Sequence, residues 1–355
     1  MKQIKEEKKL RIGISHGDIN GISYEIIIKT LMDNRLFELF TPIMYGSSKI
    51  VAYHRKALNI TNFSMNNIKT PADANPKRAN IINCIDENTR VELGKSTQMA
   101  GEASFRSLER AVEDIKKGEV DILITAPINK HNIQVKGFDF PGHTEYLKTK
   151  FDASDVLMLM VSENFRVGVV TGHIPLKNVS EAVTKEAILS KLRILNKSLI
   201  EDFAITNPKI AVLGLNPHAG DNGLIGSEEQ NIIRPAIDVA RKENIMALGP
   251  YPADGLFGSD DYQKFDAILA MYHDQGLAPF KSLVFSKGVN YTAGLPFVRT
   301  SPAHGTAYDL AGKNKATPES FRQALYLAID IHKNRQRYKE LTASKLKKQN
   351  VQKTS

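Results

Sequence analysis

The sequence predicts an α/β fold built on a largely parallel β-sheet, and three observations support this class. The chain has 355 residues, of which 42% are hydrophobic, so it can bury a sizeable core. Short apolar runs alternate along it with amphipathic helical segments. Nearly every unusual polar cluster follows one of the apolar runs, and ligands of open α/β sheets bind at the carboxyl ends of strands.

The predicted strands are short, mostly apolar runs, as expected for strands that are buried on both faces. They comprise residues 10–14, 42–46, 121–127, 156–161, 165–170, 209–215 and 266–272.

The predicted helices lie between or after these strands, and their apolar residues recur at helical spacing. In one of them Leu108, Ala111 and Ile115 share a face with Phe105. The last helix is predicted to start at Pro318, because proline is favourable at the first helical position. The other predicted helices comprise residues 24–34, 103–118, 184–203 and 228–242.

The net charge of +9 does not indicate nucleic-acid binding. Residues 333–355 have a charge balance of +7 and residues 1–11 a balance of +3, so the 321 residues between them carry −1. The positive charge therefore lies at the two ends and forms no basic patch across the body. We expect no nucleic-acid partner.

The cysteine content and the hydropathy pattern exclude further classes. The single cysteine, Cys84, excludes an internal disulfide and any multi-cysteine metal or redox site. No apolar run approaches the roughly 20 residues that a membrane helix requires. The charged N-terminal segment has no apolar signal region behind it. We expect a cytoplasmic protein with no membrane partner.

Three histidines follow predicted strands in the same way: His173, His218 and His273. Imidazole is the commonest metal ligand, and three such groups at neighbouring strand ends could bind one divalent ion and leave positions open for substrate. Each could equally be a hydrogen-bonded loop residue. Spacing alone does not decide between these interpretations.

A fourth histidine, His143, lies in PGHTEY, and a group of cationic and amide side chains comes just after the run HDQGLAPF. Lys281, Asn290 and Arg299 lie in or beside glycine-rich sequence and have the chemistry of a phosphate or carboxylate site. Lys130, in TAPINK, could act as a base if it is desolvated, although most lysines are simply exposed.

A nucleotide, if it binds, does so without the Rossmann glycine turn, because GxGxxG and GxxxxGK[ST] are both absent from the sequence. The segment PAHGTAYDLAGKN is a candidate instead. His304 could stack on a base and Asp309 could accept a hydrogen bond from a ribose hydroxyl. A plain loop that leads into the last helix is the alternative.

The order of these motifs resembles the 4-hydroxythreonine-4-phosphate dehydrogenase family from about Arg11 to the helix after Pro318. The motifs are GDINGI, TAPINK, PGHTEYL, GHIPL, NPHAGDNG, MYHDQGLAPFK, GLPFVRTS and DLAGK. The resemblance implies a two-domain fold like that of isocitrate and isopropylmalate dehydrogenases. It places residues 1–130 with 295–355 on the nucleotide side. Residues 131–294 then form the substrate, metal and dimerisation domain.

The resemblance also implies the ligands and their residues. His173, His218 and His273 would bind a divalent ion (zinc, magnesium or cobalt), with one histidine supplied by the partner subunit of a homodimer. The phosphorylated substrate would contact His143, Thr144, Lys281, Asn290 and Arg299. The segment HGTAYDLAGKN is similar to the adenine-ribose loop of isopropylmalate dehydrogenases, which assigns His304 and Asp309 to NAD.

The implied reaction is NAD-dependent oxidation of 4-phosphohydroxy-L-threonine at its 3-hydroxyl. The resulting β-keto acid decarboxylates to 3-amino-2-oxopropyl phosphate, a step toward pyridoxal 5′-phosphate. Asp254 and Asp274 stand beside the metal motifs and, with Lys130, are the candidate catalytic groups, either orienting imidazoles or relaying a proton.

Two other functions stay open at this point. A sibling dehydrogenase would act on threonate or erythronate 4-phosphate, and a phosphate acyltransferase would share the fold type without needing the three histidines.

The first loop also departs from the family. Many members have Pro, Ala, Gly and Pro where this chain has Ile19, Asn20, Ser23 and Tyr24.

Overall fold

A computed structural model describes residues 9–135, 137–284 and 287–343, and the strands in this part of the chain form one sheet. They are β1 (Arg11–Ser15), β2 (Thr41–Gly46), β3 (Asn66–Ile68), β4 (Asn80–Asn83), β5 (Ile122–Thr125), β6 (Leu157–Ser162), β7 (Phe165–Thr171), β8 (Lys209–Leu213), β9 (Met246–Tyr251), β10 (Ala267–Tyr272), β11 (Val289–Ala293) and β12 (Val298–Pro302). Their order across the sheet is β3-β4-β2-β1-β5-β12-β11-β6-β7-β10-β8-β9.

The sheet consists of two parallel blocks joined by antiparallel strands. In the first block, β3, β4, β2, β1, β5 and β12 lie side by side and pair in parallel. In the second block, β7, β10, β8 and β9 also pair in parallel. Between the blocks β11 runs antiparallel to β12 and β6, and β6 runs antiparallel to β7. The predicted α/β class and largely parallel sheet are confirmed.

The helices pack on this sheet. They are α1 (Ser23–Leu31), α2 (Leu36–Leu39), α3 (Ser48–Ala57), α4 (Gln98–Lys116), α5 (His143–Lys150), α6 (Val179–Ala182), α7 (Lys185–Glu201), α8 (Arg234–Lys242), α9 (Ala253–Phe257), α10 (His273–Val284) and α11 (Glu319–Ala343). The last helix begins one residue after Pro318. The helix predicted over 228–242 opens with a π-helical turn, Glu229–Ile233, before α8.

The strands that the pattern did not predict lack a continuous apolar run. β3 is only three residues long and begins with two asparagines, and β9 contains the Gly249–Pro250 step. β11 and β12 lie in a segment whose polar residues indicated a binding loop. Side chains of both strands, including Asn290 and Arg299, line the cleft described below, while the backbones of the strands pair into the sheet.

Helix α4 shows how a local sequence fits the core. Thr97 caps its first turn by accepting a hydrogen bond from the backbone N–H of Ala100, and Leu108 and Ala111 are fully buried against the sheet. Gly101 lets the helix approach the segment after β5, since a Cβ there would lie 1.7 Å from the carbonyl oxygen of Asn132. This packing brings the first loop and the segment after β5 together.

The two blocks correspond to different parts of the chain. The first parallel block contains β1–β5 and β12, and the second contains β7–β10; the antiparallel strands β6 and β11 between them come from the same part of the chain as the second block. This arrangement is compatible with the predicted division at residues 130 and 295, whose exact boundaries stay a prediction. None of the helices in the described ranges is both long and apolar enough to span a bilayer.

Candidate active site

A cleft of about 210 Å³ lies at the junction of the two blocks, beside strands β6, β11 and β12. Its wall contains most of the residues that the sequence singles out. These are Lys130, His143, Thr144, His173, His273, Lys281, Asn290, Arg299 and His304. They come from segments on both sides of the junction, so the fold gathers groups that are up to 174 residues apart in sequence.

Helix α10 contributes one face to the cleft. His273 is its first residue, directly after β10, and Leu277 and Lys281 follow at four-residue intervals. Side chains four residues apart lie on one side of a helix, so the imidazole and the ammonium point to the same space. The run HDQGLAPFK therefore provides both a candidate metal ligand and a cation for an anionic substrate.

Arg299 is the most constrained cation in the cleft. Its side chain is 2% exposed, Nε and Nη2 donate to Thr125 Oγ1 at 3.1 and 2.6 Å, and Nη1 donates to Thr292 Oγ1 at 3.0 Å. Burial lowers the pKa of Arg299 to about 10, while the nearby Glu145 carboxylate acts in the opposite direction. The guanidinium stays charged at neutral pH and is held in one orientation for an anion.

The start of α5 is a second part of the cleft whose chemistry suits an anion. Gly142 precedes the helix, and His143 and Thr144 form its first turn, where free backbone N–H groups favour negative charge. The Nε2 atom of His143 is buried and has no protein partner among the described residues. Burial, with Arg299 and Lys130 nearby, holds the pKa of His143 well below its ordinary value. The ring is therefore neutral near pH 7.

His173 and His273 form an imidazole pair at the adjacent parallel strands β7 and β10. Their ring centroids are 5.6 Å apart. A carboxylate lies at the Nδ1 atom of each ring: Asp274 at 2.6 Å from His273 and Glu145 at 3.6 Å from His173. Carboxylates at this position orient an imidazole so that Nε2 is presented to a ligand. These two residues fit a divalent ion.

Glu145 was not singled out from the sequence, although it lies within the motif PGHTEY. Its Oε2 atom is buried without a partner in the described chain, and its other oxygen faces His173. The signal that could have found it is its position two residues after His143, in the first turn of α5. Its relation to His173 depends on a contact between distant segments.

His218 lies apart from this pair. It is exposed on the loop after β8, where five successive residues from His218 to Asn222 have positive φ. It does not line the cleft, and no group of three His, Cys, Asp or Glu side chains in the described ranges of one chain is arranged to hold a metal ion. Within one chain, two of the three predicted ligands, His173 and His273, line the cleft, and whether the three bind a metal stays a prediction.

The three candidate catalytic groups have different surroundings. Lys130 lines the cleft, and partial desolvation lowers the pKa of Lys130 while Glu145 opposes the shift. Asp274 contacts His273 as described and is itself exposed. Asp254 lies on α9, exposed and outside the residues that line the cleft. Their roles stay predictions.

Of the two predicted nucleotide residues, His304 lines the cleft and Asp309 does not. His304 follows β12, its Nδ1 is 3.0 Å from the carbonyl oxygen of Gly305, and its Nε2 is buried without a protein partner in the described chain. Burial lowers the pKa of His304, so the ring is neutral near pH 7 and can lie against a base. Asp309 is exposed in the 3₁₀ turn Tyr308–Leu310, outside the cleft lining.

The unusual first loop has a structural role. Asn20 is buried; its amide donates to the carbonyl oxygen of Lys95 and to Thr97 Oγ1, and its Oδ1 accepts from the backbone N–H of Glu92. The N–H of Ile22 donates to the carbonyl oxygen of Thr306 at 3.0 Å. The altered loop thus connects the 92–97 segment to the segment that contains His304.

Together, the α/β fold and a cleft that contains a buried guanidinium and an imidazole pair have the features of an enzyme active site. The family model for the pyridoxal phosphate biosynthetic protein PdxA matches residues 38–328. The chain belongs to this family.

Individual relatives agree with this assignment. The 4-hydroxythreonine-4-phosphate dehydrogenase of Bacteroides thetaiotaomicron is 53% identical over 350 residues, covering 98% of this chain and 96% of the relative. A crystal structure of the Klebsiella pneumoniae enzyme of the same name superposes with a TM-score of 0.79 at 34% identity, over 92% of this chain and 99% of that one. An Oceanobacillus iheyensis relative, provisionally named a D-threonate 4-phosphate dehydrogenase, is 38% identical, covering 91% of this chain and 98% of the relative.

Proposed function

We propose that the protein oxidises 4-phosphohydroxy-L-threonine at its 3-hydroxyl with NAD, and that the β-keto acid formed decarboxylates to 3-amino-2-oxopropyl phosphate. The observation that carries this proposal is the convergence of Arg299, Lys281 and the first turn of α5 on a cleft that also contains the imidazole pair. The 53% identity to a relative of that name supports the same substrate over the sibling compounds.

The substrate carries negative charge at both ends, and the cleft has cations for each. Arg299 offers two-point recognition of a phosphate or carboxylate from a fixed position, and Lys281 adds a mobile charge from α10. The unpaired buried atoms His143 Nε2 and Asn290 Oδ1 provide one site each for a polar group of the substrate. An unpaired buried polar atom is costly, so a bound ligand that satisfies it gains affinity.

The reaction requires a proton to leave the 3-hydroxyl oxygen while a hydride leaves the carbon that bears this hydroxyl. Lys130 is the candidate group to accept that proton, because it lines the cleft and desolvation lowers its pKa. Glu145 and Asp274 orient the two imidazoles. A divalent ion held by His173 and His273 would stabilise the negative charge that develops on the substrate. NAD, when bound at the 304–309 segment, would supply the hydride acceptor.

We expect a preference for NAD over NADP. The exposed carboxylate of Asp309 would accept a hydrogen bond from a free 2′-hydroxyl but repel a 2′-phosphate. The Asp309→Ala variant should lose most of this preference through weaker use of NAD. The measurement is kcat/KM with each cofactor, and equal values for the unaltered protein would contradict the role of Asp309.

We also propose a homodimer in which the partner subunit's His218 completes the metal site. Two observations support this arrangement: His218 is exposed on its own chain, and it lies outside the cleft that contains His173 and His273. Ligands from separate chains gain affinity for a metal only once the chains associate, so chelation should weaken the dimer and the activity together.

Hybrid dimers test the shared site. A hybrid dimer, made of one His218→Ala subunit and one Arg299→Ala subunit, would contain one site with both residues intact and one site that lacks both. Random mixing should restore about one quarter of the unaltered activity by subunit counting. If His218 instead serves its own chain, every site in the mixture is defective and no activity returns. The proportion of hybrids is verified by mass spectrometry of differently tagged subunits.

Substrate competition tests the function itself. Formation of NADH is followed with 4-phosphohydroxy-L-threonine, D-threonate 4-phosphate and erythronate 4-phosphate, and acyl transfer from acyl-CoA to phosphate is followed separately. The proposal requires the highest kcat/KM with the first compound. A higher value with either threonate or erythronate phosphate would assign the protein to the sibling activity, and acyl transfer without NADH formation would assign it to the transferases.

A further inference from the structure

The carboxylate of Asp18, which is outside the cleft lining, is the shared acceptor of hydrogen bonds from three segments of the chain. Asp18 is fully buried, and each of its oxygens is used. Oδ1 accepts from the backbone N–H of Asn20 at 2.8 Å, and Oδ2 accepts from Asn132 Nδ2 at 2.8 Å and from the Tyr308 hydroxyl at 2.7 Å. We call Asp18, Asn132 and Tyr308 the Asp18 junction.

The junction connects two segments that the proposed reaction needs in a fixed relation. Asn132 lies in the turn that carries Lys130, and the Asn129 side chain stabilises this turn by accepting from the N–H groups of His131 and Asn132. Tyr308 precedes Asp309 and belongs, with His304, to residues 304–309, which we call the nucleotide segment. One carboxylate oxygen therefore joins the Lys130 turn to the nucleotide segment across 176 residues of sequence.

Neighbouring contacts show that the junction is closely packed. The N–H of Asp18 donates to the carbonyl oxygen of Pro127 at 2.8 Å, just before the Lys130 turn. A Cβ at Gly21 would lie 2.5 Å from the carbonyl oxygen of Thr306. The first loop is thus pressed against both segments and has little room to shift. A carboxylate that receives several hydrogen bonds inside a protein holds its donors more strongly than a neutral acceptor does.

We propose that Asp18 is a positioning residue that fixes the position of the nucleotide segment relative to the Lys130 turn. Tyr308 transmits this constraint to the cofactor, and Asn132 transmits it to Lys130. The inference rests on the proposed function in so far as NAD is the ligand of the 304–309 segment. The hydrogen-bonded junction itself does not depend on that assignment.

The Tyr308→Phe variant tests the cofactor arm, because it removes one hydroxyl and leaves Asn132 in place. The dissociation constant for NAD, measured by calorimetry without substrate, should rise about tenfold, which corresponds to about 1.4 kcal/mol. kcat and the KM of the phosphorylated substrate should stay within about twofold. In protein without NAD, amide hydrogen exchange over residues 304–312 should become about threefold faster or more.

The Asp18→Asn variant tests both arms. In the unaltered protein, three donors share the two carboxylate oxygens of Asp18. The amide of asparagine offers only one acceptor oxygen, so it cannot keep both the Asn20 contact and the contacts at Oδ2. It should weaken NAD binding by about tenfold and also lower kcat by about tenfold, unlike Tyr308→Phe. If this variant fails to fold, Tyr308→Phe alone carries the test.

Tyr45→Phe is the matched control. The Tyr45 hydroxyl donates to Asp114 Oδ2 at 2.8 Å in the core between β2 and α4, so this variant loses a similar buried tyrosine–aspartate contact away from the nucleotide segment. It should be less stable but bind NAD normally. Unaltered NAD affinity and exchange in Tyr308→Phe, or an equal loss of affinity in Tyr45→Phe, would overturn the proposal.

The failure of the proposed cofactor is distinguishable from the failure of the junction. If the unaltered protein does not bind NAD and Tyr308→Phe still accelerates exchange over 304–312, the junction stands and the cofactor assignment is wrong. If it does not bind NAD and exchange is unchanged, both are overturned.

Discussion

Replacing Arg299 with alanine is expected to lower kcat/KM about a thousandfold, equivalent to about 4 kcal/mol. The guanidinium is 2% exposed and fixed by Thr125 and Thr292, so its orientation needs no further ordering when an anion binds. Its loss leaves a buried negative group of the substrate without a partner. Steady-state kinetics with the phosphorylated substrate measures the effect.

Two further variants separate charge, geometry and stability. Arg299→Lys keeps the charge but not the two-point geometry, so it should recover only part of the activity. Arg166→Lys is the matched control: Arg166 is also buried, at 8% exposure, but it donates to the carbonyl oxygens of Asn164 and Asp266 outside the cleft. It should lower the Tm and leave KM unchanged. A normal KM in well-folded Arg299→Ala protein would contradict the role of Arg299.

Replacing His273 with alanine is expected to remove the bound divalent ion and lower kcat at least about a thousandfold, since a metal ion supplies several kcal/mol of charge stabilisation. The same loss is expected for His173→Ala, because the two rings lie 5.6 Å apart in one cleft. Metal content by atomic emission and activity before and after chelation are the measurements.

The control for the histidine variants is His332→Ala. His332 is half-buried on α11 and does not line the cleft, so its loss should change neither metal content nor rate. Full activity of His273→Ala after exhaustive chelation would show that the imidazole pair is not a metal site.

Much of the cleft could be predicted because its residues follow the logic of parallel strands. His173 and His273 follow β7 and β10, which are neighbours in the sheet, so their convergence depends only on strand order. Lys281 follows from helical spacing once His273 begins α10. These relations are local in sequence or follow from the fold class.

The remaining parts depend on contacts that no local pattern contains. The position of Glu145 beside His173 requires α5 to pack near the end of β7, and the Asp18 junction joins residues from three distant segments. The exposed position of His218 follows from a left-handed loop that the run NPHAGDNG does not reveal by spacing. Tertiary packing decides all three.

The substitutions in the first loop illustrate the same limit. Asn20 interrupts the family pattern in sequence, yet its amide makes the hydrogen bonds that hold the 92–97 segment. Tyr24 stacks on His54 with ring centroids 4.8 Å apart. From the sequence alone, these residues indicate only that the first loop differs from the family pattern. The structure accounts for Asn20 as a buried hydrogen-bonding residue and for Tyr24 as a residue of the packed core.

The most direct test of the proposed reaction follows the carboxyl carbon. The protein, with NAD and a divalent ion, is given 4-phosphohydroxy-L-threonine labelled with ¹³C at its carboxylate, and NADH, ¹³CO₂ and the organic phosphate are measured together. We predict that NADH and ¹³CO₂ form in equal amounts and that the remaining product is unlabelled 3-amino-2-oxopropyl phosphate. Consumption of the substrate without NADH, or with the label retained in a phosphorylated product, would contradict the account.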